Sequence, residues 1–147
     1  MNLLRKASVL FLALLPFAIT SCDNEPSVGD WDAFTWKIGT SSTIVKSPSI
    51  DVPAAGGEYT LHCTNYGSIW LINVSVNGEY VRNENEHRVI ENQPVFTIDS
   101  EYVQAVSDGY DVTVTVPANP TQSTRVIVIE VESGDAFDSI TLKQSAQ

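Results

Sequence analysis

Tyr110-Asp111-Val112-Thr113-Val114-Thr115-Val116 alternates apolar and polar residues without a break. Such a period of two sends Val112, Val114 and Val116 to one face of a β-strand and Asp111, Thr113 and Thr115 to the other. Threonine on the solvent side is the choice expected where a β-branched polar residue must sit on a pleated, half-buried surface. A helix would scatter the valines round its circumference, so this stretch reads as a strand with one face on a core.

The same device recurs outward in both directions. Runs rich in Val, Ile, Thr, Tyr and Trp at 43–45, 49–52, 58–64, 69–76, 88–91, 94–100, 110–116, 125–131 and 139–144 are separated by Gly, Pro, Asn, Asp and Ser clusters. That rhythm predicts an all-β sandwich or barrel. In the run after Ser68, the alternation puts Trp70, Ile72, Val74 and Val76 on one face and Leu71, Asn73 and Ser75 on the other. Residues 125–131 are apolar on both faces, which suits a central strand covered on both sides or flanked by another element. Pro117 with Asn119-Pro120, and Ser133-Gly134-Asp135, are strong breakers. No segment holds a helical period for long, although 101–107 fits one turn of helix.

The N-terminus has a different character. Arg5 and Lys6 precede an apolar run from Ala7 to Ile19 and then small residues, the three-part layout of a secretory signal. Pro16 interrupts the run, which is short of the roughly 20 apolar residues a bilayer crossing needs. Ile19-Thr20-Ser21-Cys22 resembles the lipobox of bacterial lipoproteins, which implies cleavage before Cys22 and a diacylglycerol on its sulfur. The expected partition is a signal peptide at 1–21, a lipidated tether at 22–34 and a single domain at 35–147, with the lipid on Cys22 holding the protein to the membrane.

Without 1–21 the chain keeps 6 Lys and Arg against 18 Asp and Glu, a net charge of −12. Phosphate repels such a chain, so nucleic acid is excluded as an expected partner. With Cys22 lipidated, Cys63 has no cysteine to pair with. It lies in phase with Tyr59 and Leu61 and is expected in the core.

The C-terminal half carries a more particular pattern. Val112 to Val116 leads to Pro117-Ala118-Asn119-Pro120-Thr121; then come Thr124-Arg125-Val126-Ile127-Val128-Ile129 and Ile140-Thr141-Leu142-Lys143-Gln144-Ser145-Ala146. Together with the Gly56-Gly57 turn and Asn65 to Trp70, this resembles BACON domains, the immunoglobulin-like modules of Bacteroidetes. The resemblance spans residues 47–147 and implies an antiparallel β-sandwich of about seven strands, with Trp70 at the core. Two departures stand out. The family's frequent second tryptophan has no counterpart, and 77–108 is longer and more polar than the usual intervening segment. The resemblance also implies an outer-membrane lipoprotein, on the cell surface or the periplasmic face, with Asp23 and Glu25 after Cys22 resembling a surface-export signal. Binding of carbohydrate or mucin is the function it implies. The alternative is an accessory lipoprotein docked on another outer-membrane protein.

No catalytic constellation accompanies this pattern. His62 and His87 are the only histidines, and no Cys-x-x-Cys, His-Glu-x-x-His or phosphate-loop spacing occurs. His62 is out of phase with Leu61 and Cys63 and should face solvent, while His87 falls in a polar loop at 83–88. Asp108 with Asp111, and Asp135 with Asp138, lack the ligand count of a calcium loop. The expectation is a protein that is not an enzyme, with no cofactor and no metal. Sugar binding needs exposed aromatic faces beside groups that take hydroxyls. Tyr66, Tyr80 and Tyr102, at turns or loop edges, are the candidates, with Arg82 and Asn83. Trp31 and Trp36 flank Phe34 and suit either an extra edge strand or an exposed patch. Asp138-Ser139-Ile140 resembles a short O-glycosylation sequence of exported Bacteroidetes proteins, with Ser139 as its acceptor.

Overall fold

A computed structural model of the chain describes residues 31–81, 84–90 and 93–147, and for 84–90 and 93–94 the backbone alone. The expected lipid site Cys22 and the candidates Arg82 and Asn83 lie outside the described residues. A compact unit runs from Trp31 to Gln147. It contains β1 (Trp36–Ile38), β2 (Ser49–Val52), β3 (Gly57–Cys63), β4 (Trp70–Val76), β5 (Glu79–Tyr80), β6 (Glu84–Ile90), β7 (Gln93–Asp99), β8 (Gln104–Asp108), β9 (Asp111–Val116), β10 (Arg125–Ser133) and β11 (Ala136–Gln144).

These strands form a β-sandwich. One sheet has the order β1-β3-β9-β8-β7-β6 and the other β2-β11-β10-β4-β5. The inward residues of both sheets make one core: Val112, Val114 and Val116 from β9, Leu61 and Cys63 from β3, Ile127, Ile129 and Val131 from β10, Ile140 and Leu142 from β11. Cys63 is a buried free thiol, as its phase predicts. The strand count exceeds the implied seven because the polar segment 77–108 supplies β5, β6, β7 and β8. Antiparallel pairing is the rule, but β2 runs parallel to β11, in register Ile50 to Leu142. Chain far apart in sequence separates those two strands, so no tight turn forces them to oppose.

Four expectations are corrected by the architecture. Residues 43–45 do not form a strand; only Val45 pairs, with Trp36, because Gly39 takes a left-handed conformation and Ser47 another, bending the chain on both sides. The turn of helix expected at 101–107 is instead the start of β8. The Ser100 hydroxyl oxygen accepts from the Val103 amide at 3.2 Å to close a tight turn, after which Ala105 and Ser107 alternate inward. The segment with His87, read as a loop, is strand β6. Strand β10 is central in its sheet but covered on one face only: Ile127, Ile129 and Val131 are fully buried, while Val126 is exposed on the other side.

Gly56 shows why the opening turn needs glycine. Its φ is +81°, and a Cβ there would collide with the Val116 carbonyl oxygen. At the same end of the sandwich, Asn119 and Gln144 of the C-terminal pattern prove to be structural. Asn119 Nδ2 donates to the carbonyls of Ser123 (2.8 Å) and Ser145 (3.0 Å), and Gln144 Nε2 donates to that of Pro117 (2.8 Å). Backbone carbonyls left buried by the loop are thereby satisfied.

The segment before β1 is welded to the sandwich. Phe34 and Trp36 are fully buried, and Asn65 brackets the chain by accepting from the Thr35 amide and donating to the Ala33 carbonyl. Trp36 Nε1 donates to Asp138 Oδ2 at 2.8 Å. Of the two readings for this segment, Trp36 follows the edge strand, whereas Trp31 is 53% exposed.

A candidate binding face on the five-stranded sheet

The face begins with an irregularity in β4. Pairing with β10 runs Val76 to Ile127, Val74 to Ile129 and Asn73 to Glu130, then skips to Leu71 opposite Val131 and Trp70 opposite Glu132. Ile72 is therefore the extra residue of a β-bulge, which bends a strand and re-aims its side chains. Beyond the bulge the phase inverts. Leu71, read as outward, is buried; Trp70, expected at the core, is 39% exposed and rests its ring 5.7 Å from that of Phe96 on β7.

Outward positions of β4, β10 and β11 line up across the strands. Asn73, Glu130 and Ser139 form one row, and Trp70, Glu132 and Phe137 the next. Glu130 is held from two sides: Asn73 Nδ2 donates to its Oε2 at 3.2 Å, and the Tyr80 hydroxyl donates to its Oε1 at 2.7 Å. The phenol of Tyr80 is raised above its ordinary pKa, first by that hydrogen bond and then by the nearby negative charge, since both favour the neutral donor. Between the rows lies an open concavity of about 520 Å³ lined by Ile72, Glu130, Glu132, Phe137 and Ser139. Phe137 is 67% exposed there. An apolar floor, an exposed ring and several hydrogen-bond acceptors are brought together in one place.

The residues picked from sequence are divided. Tyr80 is 68% exposed on this face. Tyr66 is committed elsewhere, with its hydroxyl donating to the Asp32 carbonyl at 2.7 Å and its ring 4.5 Å from Phe34. Tyr102 is half-buried, its ring 5.2 Å from the Arg125 guanidinium. The two lie at opposite ends of β10. Gly67, beside Tyr66, accepts from Ser133, and Arg125 opens the strand, so about 27 Å of strand separates them. Ser139 is half-buried on β11, and Asp138 beside it is engaged by Trp36 and by Ser47.

Phe137, Glu130 and Ile72 were not singled out by sequence reasoning. A signal existed: Ser133 pairs with Ala136, so Gly134-Asp135 is a two-residue hairpin turn, and the strand begins at Ala136 rather than Ser139. His62 is exposed, as its phase predicts, and meets Asp111 at 2.8 Å on the other sheet. Among the described residues no three His, Cys, Asp or Glu side chains are grouped to hold a metal ion, and no helix is long and apolar enough to cross a membrane.

No family model matches this chain, and no curated protein does. Among solved structures, the NMR structure of a protein from Bacteroides thetaiotaomicron is similar, with a TM-score of 0.65 and 24% identity, over 86% of this chain and 98% of that one. At that identity the likeness extends to the fold.

Proposed function

We propose that this chain is a lipid-anchored, BACON-like module of the outer membrane that binds carbohydrate and catalyses nothing itself, with the open face of the five-stranded sheet as its site. One observation carries the reading: Phe137 stands exposed in a concavity beside Glu130, Glu132 and Ser139. The apolar side of a sugar ring stacks on such an aromatic face while its hydroxyls donate to the carboxylates. Lipid on Cys22 would hold the module at the membrane. Retention of the mature protein on immobilised polysaccharides and mucin tests the reading. Phe137→Ala should abolish retention with the melting temperature unchanged; retention that survives the substitution refutes the site.

Docking on another outer-membrane protein is the second reading, favoured by the edge at β6. Among the described strands it ends its sheet and pairs along seven residues with β7, which leaves a backbone row for strand addition. Co-purification of a stoichiometric partner from membranes, with no retention on any glycan, would select it.

A further inference from the structure

The chemistry of the concavity goes further than carbohydrate in general, and a ligand class drawn from it rests on the proposed glycan site. Glu130 is held by two neutral donors, Asn73 and Tyr80, so its negative charge is oriented without being cancelled. Glu132 and Asp138 line the same concavity, Asp138 with its carboxylate engaged by Trp36 and Ser47, and no described Lys or Arg forms a salt bridge with any of the three carboxylates. Lys143, an outward cation on β11, is four residues from Ser139, the partner of Glu130, and six from Phe137, the partner of Glu132, about 14 and 20 Å along the strand. Both distances exceed the Debye length of roughly 8 Å at physiological salt, so it only weakly offsets the two glutamates.

A site of this kind offers acceptors. Each carboxylate oxygen has more than one lone pair, so Glu130 retains capacity after taking its two internal hydrogen bonds, and among the described residues none donates to the Glu132 carboxylate. Sugar hydroxyls supply the matching donors. A sulfate, a sialic acid or a uronic acid supplies more acceptors and a like charge. From Tyr80 on β5 to Phe137 on β11 the face crosses three strand spacings, about 14 Å, which is longer than one pyranose ring.

We infer that the face takes an uncharged, hydroxyl-rich glycan chain, running from Tyr80 across Glu130 to Phe137, and rejects acidic glycans. The carboxylates act as a charge filter as well as hydrogen-bond acceptors. Like charge set directly opposite like charge is a common device for refusing a wrong partner.

Pairs of polymers that share a backbone and differ in charge test this. The mature protein is run by affinity electrophoresis and titration calorimetry against hydroxyethyl cellulose, galactomannan and starch, and against the carboxymethyl form of each. Neutral forms should bind at least about tenfold more tightly than carboxymethyl forms at low salt, with the gap narrowing as salt rises. Glu132→Gln, whose carboxylate holds no structural hydrogen bond in the described residues, should close much of that gap, and Glu130→Gln/Glu132→Gln more. Circular dichroism checks that both variants fold. A wild-type preference for carboxymethyl polymers, or an unchanged ratio in both variants, overturns the charge filter while the glycan site stands. Failure to bind any polymer overturns the glycan site and the filter with it.

Discussion

The two outward faces of the sandwich are built from the same strand geometry and filled in opposite ways. On the six-stranded sheet, Glu58, Thr60 and His62 of β3 stand beside Thr113, Thr115 and Asp111 of β9, a regular ladder of polar and β-branched residues. On the five-stranded sheet, the ladder is broken at Ile72, and the outward rows carry Phe137 and two glutamates round a concavity. A regular polar ladder is what a sheet needs simply to face water. A bulge with an exposed ring beside it leaves apolar surface open, which sheet stability alone does not require.

Deleting Ile72 attacks the difference most directly. Without the extra residue the ladder to β10 becomes continuous, with Asn73 still opposite Glu130, Leu71 opposite Val131 and Trp70 opposite Glu132, so every side chain keeps its face. What goes is the local bend and the Ile72 wall of the concavity, so retention on glycan should be abolished while the buried Leu71 stays in the core. Polysaccharide retention measures it, and a deletion variant that binds as the wild type does would show that the bulge does not shape the open face.

Strand β11 allows the same comparison within one element. Leu142 faces the core and is fully buried, so Leu142→Ala should lose about 3 kcal/mol through lost transfer energy and the cavity left behind. Phe137→Ala, five residues earlier on the open side, should change stability by less than about 1 kcal/mol, as exposed substitutions do. Equal losses in chemical denaturation would mean that Phe137 belongs to the core and that the open face stops short of it.

The regularly alternating strands were legible in the sequence and the irregular ones were not, for physical reasons. Residues 110–116 and 49–52 keep strict alternation, and both are strands within a residue of the expected bounds. In β4 the alternation is just as clean, but the bulge inserts a residue without leaving any residue type that marks it, so Trp70 and Leu71 exchange faces. Asn77-Gly78 and Gly134-Asp135 are two-residue turns, with Asn77, Gly78 and Gly134 at positive φ; each extends a strand closer to its partner than a breaker suggests. Reading Ser133-Gly134-Asp135 as a gap ended β11 short and removed Phe137 from view. Tyr80 was found because an aromatic beside a turn is visible without knowing the register. Tyr66 and Tyr102 satisfy the same criterion, and what distinguishes them is tertiary: a hydroxyl taken by the Asp32 carbonyl, and a ring covered by Arg125.

On the regular face, the His62–Asp111 pair is the most conspicuous polar contact, yet both side chains are about half exposed. Water screens such a pair, and His62→Ala should cost no more than about 0.5 kcal/mol. A loss above about 2 kcal/mol in thermal unfolding would give this face a structural role that its ladder does not imply.

The smallest effect is also the most local, and it reads the open face without any ligand. Tyr80 donates to Glu130, so removing its proton would place two negative charges side by side; its pKa is raised for that reason. Because the folded value lies above the ordinary value of about 10, the stabilisation from this bond is complete below pH 10 and disappears as the pH climbs through the folded value. Glu130→Gln removes the carboxylate that supplies both the hydrogen bond and the charge. An ultraviolet titration of tyrosinate should then show one tyrosine moving to lower pH. Tyr102 should stay where it is, because its own upward shift comes from Glu101, against the opposing charge of Arg125. If the Glu130→Gln curve overlays that of the wild type, Tyr80 and Glu130 are not joined in solution, and the acceptor that orients the open face is lost with that bond.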